Sequence, residues 1–137
     1  MTTQDQTETE QPAKKRILIV DDEDFVREAG CAMMNMLGYE AQAVDSGQCA
    51  EALFRADATA FDLVLIDLNM PGMPGDECFL LLKEINPLLH AAIITGSIIE
   101  DSRVQALEPH GLLGMIQKPF TMDTLEQKLT EFLPAKP

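Results

Sequence analysis

The chain has 137 residues, with 10 Lys and Arg against 23 Asp and Glu for a formal net charge of -13; that length suits one domain with its own core and leaves no room for a second. So acidic a chain has few cations with which to neutralise phosphates, which argues against nucleic acid as a partner. No run approaches the ~18 apolar residues of a membrane span and the N-terminus lacks an apolar signal core, so a cytoplasmic protein with no membrane partner is expected.

Residues 1–15 are rich in Thr, Gln, Glu and Asp, too polar to bury anything, and are expected to form a disordered leader. The fold is expected to start at Arg16, in the apolar run Ile17-Leu18-Ile19-Val20 that ends on Asp21-Asp22. A helix over residues 24–37 follows, its apolar positions Phe25, Ala29, Met33, Met36 and Leu37 spaced by three or four, closed by Gly38. Strand two is read at residues 40–44, and Ser46 is the expected N-cap of a helix running through Leu53 and Phe54. Strand three, residues 61–66, delivers Asp67 into the breaker-rich loop Leu68-Asn69-Met70-Pro71-Gly72-Met73-Pro74-Gly75. The next helix carries Cys78, Leu81, Leu82 and Ile85 on one side and stops at Asn86-Pro87. Strand four, residues 91–95, ends in Thr95-Gly96-Ser97; a less regular helix over 101–107 and strand five, residues 113–117, lead to Lys118. Thr121 caps a last helix with Met122, Leu125, Leu129 and Phe132 inward, and residues 134–137 form a tail.

Strand-like runs alternating with amphipathic stretches predict repeated βα units. With right-handed crossovers these build an α/β fold, a doubly wound five-stranded parallel sheet with helices on both faces. Polar residues at the carboxyl ends of such strands stand where open α/β sheets hold their sites. The strand order 2-1-3-4-5 would put strands one and three side by side, gathering Asp21, Asp22 and Asp67 at one edge.

Three clustered carboxylates disfavour joint ionisation, so they bind protons or a metal ion, and oxygen-only ligands select a hard cation such as Mg2+. Lys118 completes the charge balance: three carboxylates are offset by one divalent cation and one ammonium, so a phosphoryl group can enter. A carboxylate there can attack phosphorus while the cation, the ammonium and the Thr95 hydroxyl stabilise the equatorial oxygens. Asp67, last on a central buried strand, is the expected nucleophile. Cys31, Cys49 and Cys78 form no CxxC pair and are read as buried thiols. His90 and His110 have no partner at ligand spacing.

Val20-Asp21-Asp22-Glu23, Leu65-Ile66-Asp67-Leu68-Asn69-Met70-Pro71-Gly72, Ile94-Thr95-Gly96 and Gln117-Lys118-Pro119-Phe120 resemble the four signature segments of the response-regulator receiver domain of two-component signalling. The resemblance covers residues 16–133 and implies a flavodoxin-like receiver fold. It implies that Asp67 takes a phosphoryl group from a phosphohistidine on a sensor histidine kinase or histidine phosphotransfer protein, and that a downstream protein target reads the result. It further implies that Asp22, Asp67 and the backbone carbonyl of Asn69 hold Mg2+, Asp21 helping through water, and that Thr95 and Lys118 contact the phosphate. A cis peptide between Lys118 and Pro119 is implied as well. One departure stands out: receivers usually carry Tyr or Phe three residues before the lysine, and here that residue is Met115.

A stand-alone, phosphorylation-controlled interaction module is the preferred reading, without turnover of an external substrate. A phosphorelay intermediate or the receiver of a hybrid kinase is a variant of it. A small phosphohydrolase of the haloacid-dehalogenase type shares the strand-end Asp, Thr, Lys and Mg2+. That family wants an acid two residues after its nucleophile, where this chain has Asn69.

Overall fold

A computed structural model describes residues 14–96 and 102–133. Five parallel strands, β1 (Arg16–Val20), β2 (Glu40–Val44), β3 (Leu63–Asp67), β4 (Ala91–Thr95) and β5 (Met115–Gln117), line up in the order β2-β1-β3-β4-β5. Helices α1 (Asp24–Met36), α2 (Gly47–Ala56), α3 (Gly75–Ile85), α4 (Ser102–Leu107) and α5 (Met122–Phe132) connect or follow them, with a 3-10 turn at Glu108–His110 after α4. The expected sheet and strand order are those observed. The expected leader lies almost wholly outside the described residues, as do Ser97, the start of the helix expected from residue 101, and the tail.

The central strands are buried on both faces, which is why they read as continuous apolar runs rather than alternating ones. Successive side chains point to opposite sides and split the core in two. Leu18, Val64, Ile66 and Ile93 meet Phe54 of α2, Phe79 of α3 and Val104 of α4 in one cluster. Ile17, Ile19, Leu65 and Ile94 meet Met34 of α1 and Leu125 and Leu129 of α5 in the other. Both expected caps are present: Ser46 Oγ accepts from the Cys49 amide at 3.1 Å and Thr121 Oγ1 from the Thr124 amide at 3.1 Å.

Four details differ from expectation. On α1 the inward stripe is offset: Gly30 and Met34 are buried, whereas Phe25 and Met36 are 77% and 76% exposed. Both stripes satisfy three-to-four spacing. The backbone decides, because Gly30 lets α1 approach β1 so closely that a Cβ there would lie 2.6 Å from Ile19 Cδ1. On α3 the core takes Phe79 beside Cys78 and Leu82. Strand β3 starts at Leu63, since Phe61 instead stacks on Phe54 with ring centroids 6.0 Å apart; β5 starts only at Met115. Of the three thiols only Cys78 is buried; Cys31 is half-buried and Cys49 exposed, since α2 turns Cys49 outward next to its cap. His90 and His110 are exposed. Among the described residues, no helix is long and apolar enough to cross a membrane.

One glycine fixes the junction that sets the site. The Gly75 amide donates to the Leu68 carbonyl at 2.8 Å, and a Cβ at Gly75 would lie 2.2 Å from the Asp67 carbonyl oxygen and 2.7 Å from Leu68 Cα. Backbone, not a yielding side chain, occupies that space. Gly75→Ala is therefore expected to destabilise the fold by about 2 kcal/mol or more, through overpacking at the end of β3. Gly96→Ala, whose Cβ would meet none of the described residues within 4 Å, should stay within about 0.5 kcal/mol of the parent. Urea unfolding midpoints measure both, and equal midpoints would mean that the β3–α3 junction yields without strain.

Candidate functional site

Strand register assembles the site. Parallel pairing sets Val20 beside Ile66 and Asp67 beside Ile94, so the next residue on β1, Asp21, and the last on β3, Asp67, share one edge. Thr95 ends β4 opposite Gln117, and the Lys118 amide donates to the Thr95 carbonyl at 2.7 Å, which fixes where the lysine leaves β5. The Lys118–Pro119 peptide bond is cis. Arg27, one turn into α1, donates from Nη1 to the Asp21 carbonyl at 2.8 Å and ties the end of β1 to that helix.

Asp21 is fully buried, Asp67 is 3% exposed and Thr95 1% exposed, and these three are the buried polar or charged residues among those described. Asp22 is exposed, so it faces the cleft from its solvent side. One carboxylate oxygen from each of Asp21, Asp22 and Asp67 lies within 4.8 Å of the others. The donors are all oxygen and the cluster is compact, which fits a hard divalent cation of the Mg2+ kind and not a thiolate- or imidazole-seeking metal. The Asn69 amide reaches back to Asp67 Oδ1 at 3.5 Å, so the backbone of Asn69 is part of the same cluster.

Lys118 Nζ is held among three carboxylates: 2.7 Å from Glu23 Oε1, 3.2 Å from Asp21 Oδ2 and 3.5 Å from Asp67 Oδ1. Burial pushes the Asp67 carboxyl up to about 6, and the neighbouring charge of Asp21 adds to that, while Lys118 and the Asn69 amide pull the other way. Asp21 is likewise raised by burial, against the Glu23 amide and the Lys118 ammonium. For Lys118 burial works against the charge, but the Glu23 hydrogen bond and the charges of Asp67 and Asp21 outweigh it, so its pKa is raised. The cleft, about 560 Å³, is lined by the polar Asp22, Glu23, Asn69 and Lys118 together with Phe25, Pro119 and Phe120.

Every residue singled out in the sequence, Asp21, Asp22, Asp67, Asn69, Thr95 and Lys118, thus converges on this edge. Two neighbours escaped that reading. Glu23 directly follows the Asp pair, so its position was a visible signal. Arg103, whose Nη2 donates to Asn69 Oδ1 at 2.9 Å from α4, is 34 residues distant in an irregular stretch and gave none. Met115 is half-buried and packs with the α4-side core.

The sequence matches the response regulator receiver domain over residues 17–130. A response regulator receiver protein of Anaeromyxobacter, Anae109_2439, is 36% identical over 105 residues, covering 77% of this chain and 43% of that protein. The sensor histidine kinase RcsC of Salmonella typhimurium is 29% identical over 116 residues, covering 85% of this chain and 12% of the kinase. The chain therefore spans less than half the length of either relative. Among solved structures, chemotaxis protein CheY4 of Vibrio cholerae superposes with a TM-score of 0.80 at 26% identity, covering 88% of this chain and 100% of that one.

The raised Asp67 carboxyl has a consequence for stability. Folding raises its pKa from 3.8 to about 6, so the folded chain holds this proton more tightly than the unfolded one. The stabilising contribution is full below the unfolded value and is lost as pH rises through about 6. Without divalent cation, Asp67→Asn is expected to be more stable than the parent by about 1–3 kcal/mol at about pH 7.5, the gap closing toward about pH 4. Denaturant unfolding in chelator at the two pH values tests this; a gap that is constant with pH would contradict it.

Proposed function

The chain belongs to the response regulator receiver domain family of two-component signalling, and we propose that within it Asp67 is the residue that accepts the phosphoryl group. What carries this reading is the convergence of Asp21, Asp22, Asp67 and Lys118 on one sheet edge, with Asp67 buried, shared with a lysine and last on a central strand. We take residues 16–133 as the receiver unit, with residues 1–15 and 134–137 as flanking segments.

The residues divide the chemistry among them. An Asp67 carboxylate oxygen attacks phosphorus in line with the leaving group; the new O–P bond forms as the P–N bond to a donor imidazole breaks and the ring nitrogen keeps the electron pair. Lys118, which follows β5, supplies positive charge to the phosphoryl oxygens, and on this reading the hydroxyl of Thr95, the last residue of the neighbouring strand, donates to them. Asp22 and Asp67, with the Asn69 carbonyl, would hold Mg2+, and Asp21 would support it through water. Bound there, the ion would offset the carboxylate charge and supply Lewis-acid stabilisation to the phosphoryl group. At neutral pH a carboxyl titrating near 6 is mostly ionised and competent as a nucleophile.

The donor on this reading is a phosphohistidine of a sensor histidine kinase or histidine phosphotransfer protein, and the readout is a changed surface met by a downstream protein. With methionine at position 115 no ring can turn inward there on phosphorylation. The Arg103–Asn69 hydrogen bond instead supplies a direct link from the loop after Asp67 to α4. Asn69 speaks against the phosphohydrolase alternative: a carboxamide N–H is far too weak an acid to protonate a leaving group, and the Asn69 Oδ1 already accepts from Arg103.

Intact-mass measurement after treatment with a small phosphodonor tests the assignment. The parent is expected to gain one phosphoryl group with Mg2+ and none in chelator, and Asp67→Asn none under either condition. Lys118→Ala should slow labelling by about 100-fold or more, on the scale of losing a charge stabiliser of the transition state. Equal incorporation into the parent and Asp67→Asn would overturn the assignment.

A further inference from the structure

Glu23 occupies the N-cap position of α1, yet its side chain makes no capping hydrogen bond. Its carboxylate turns instead into the cleft and meets Lys118 Nζ at 2.7 Å, closer than either Asp21 at 3.2 Å or Asp67 at 3.5 Å. The backbone holds it there: the Glu23 amide donates to Asp21 Oδ1 at 2.9 Å, and the Glu23 carbonyl accepts from the Arg27 amide at 3.1 Å. The Glu23 side chain is 59% exposed and that of Lys118 only 15%. The contact therefore draws the ammonium toward the solvent rim of the cleft, away from the acceptor carboxylate.

Charge counting gives the contact a purpose. Asp21, Asp22 and Asp67 are balanced by one divalent cation and one ammonium; Glu23 adds a fourth carboxylate that competes for the same ammonium. A phosphoryl group on Asp67 needs that ammonium for its own oxygens. We propose that Glu23 is a positioning residue that tethers Lys118 in the unphosphorylated chain, so that an incoming phosphoryl group must displace the Glu23 carboxylate to recruit the lysine. This role rests on Asp67 being the acceptor. It sets how readily the site engages a phosphoryl group and leaves the identity of the acceptor unchanged.

The contact, and not the mere charge, is what tethers. Glu23→Asp keeps the charge but shortens the side chain by one carbon–carbon bond, about 1.5 Å; Glu23→Gln keeps the length and removes the charge. Both break the ion pair. Binding of beryllofluoride, a phosphoryl mimic, is measured at saturating Mg2+ by titration of backbone amide shifts, with melting temperature recorded alongside. Both variants are expected to bind it roughly two- to fivefold more tightly than the parent, the worth of a partly solvated ion pair, with melting temperatures close to the parent's. In a Lys118→Ala background Glu23→Asp should make no difference. Tightening in Glu23→Gln alone would mean that charge acts at a distance, and would overturn the tether, as would tightening that persists without Lys118. Parent binding with no gain in either variant rejects the tether while sparing Asp67; no binding by the parent rejects the acceptor assignment itself, and the tether with it.

Discussion

Two carboxylates almost wholly withdrawn from water, Asp21 and Asp67, share one ammonium, Lys118, at the carboxyl edge of the sheet. With carboxylate oxygens within 4.8 Å, their mutual repulsion amounts to roughly 3 kcal/mol at the effective dielectric typical of such sites. Burial adds to the cost of ionising either one. One lysine, divided among three acids, leaves the edge short of positive charge. The fold tolerates this because the strands that carry the acids are buried inner strands of the sheet, hydrogen-bonded to each other, and cannot easily splay apart. The same rigidity keeps the acids at a spacing a hard cation can use.

The rest of the structure serves to maintain that edge. Parallel register fixes β1 against β3, Arg27 and the Glu23 amide secure the turn after β1, and Gly75 lets α3 start directly under the end of β3. Around this frame lie contacts outside the acidic cluster itself: Glu23 against the lysine, Arg103 against Asn69, and Met115 among the α4-side core. A receiver acts by shifting between two arrangements of different stability, which requires that the charge added at the acceptor be felt elsewhere. Among the described residues, one connection from this edge to α4 runs through Asn69 and Arg103.

Much of this was legible in the residues. Apolar runs ending in Asp, Thr and Lys located four strand ends, and the order of segments carried the sheet topology. Ser46 and Thr121 announced their helices because capping depends on local chemistry that sequence displays. Legibility failed where tertiary approach decided between equals. Phe25 and Met36 fit the helical period of α1 as well as Met34 does, and only the close approach allowed by Gly30 turns them outward. Phe61 reads as strand by its apolar character but leaves the sheet to stack on Phe54. Arg103 could not be tied to Asn69 without the fold, because nothing local marks a contact across the sheet edge. Glu23 was in view as part of an acidic strand end, but its choice of Lys118 over the cap position follows from where β5 ends.

Melting temperature as a function of Mg2+ concentration, followed against NaCl of matched ionic strength at neutral pH, bears most directly on the claim that this edge lacks positive charge and is built to receive a hard cation. Mg2+ is expected to raise the melting temperature progressively and well beyond the NaCl curve, with the excess largely lost in Asp22→Ala. Superimposable Mg2+ and NaCl curves for the parent chain would contradict the account.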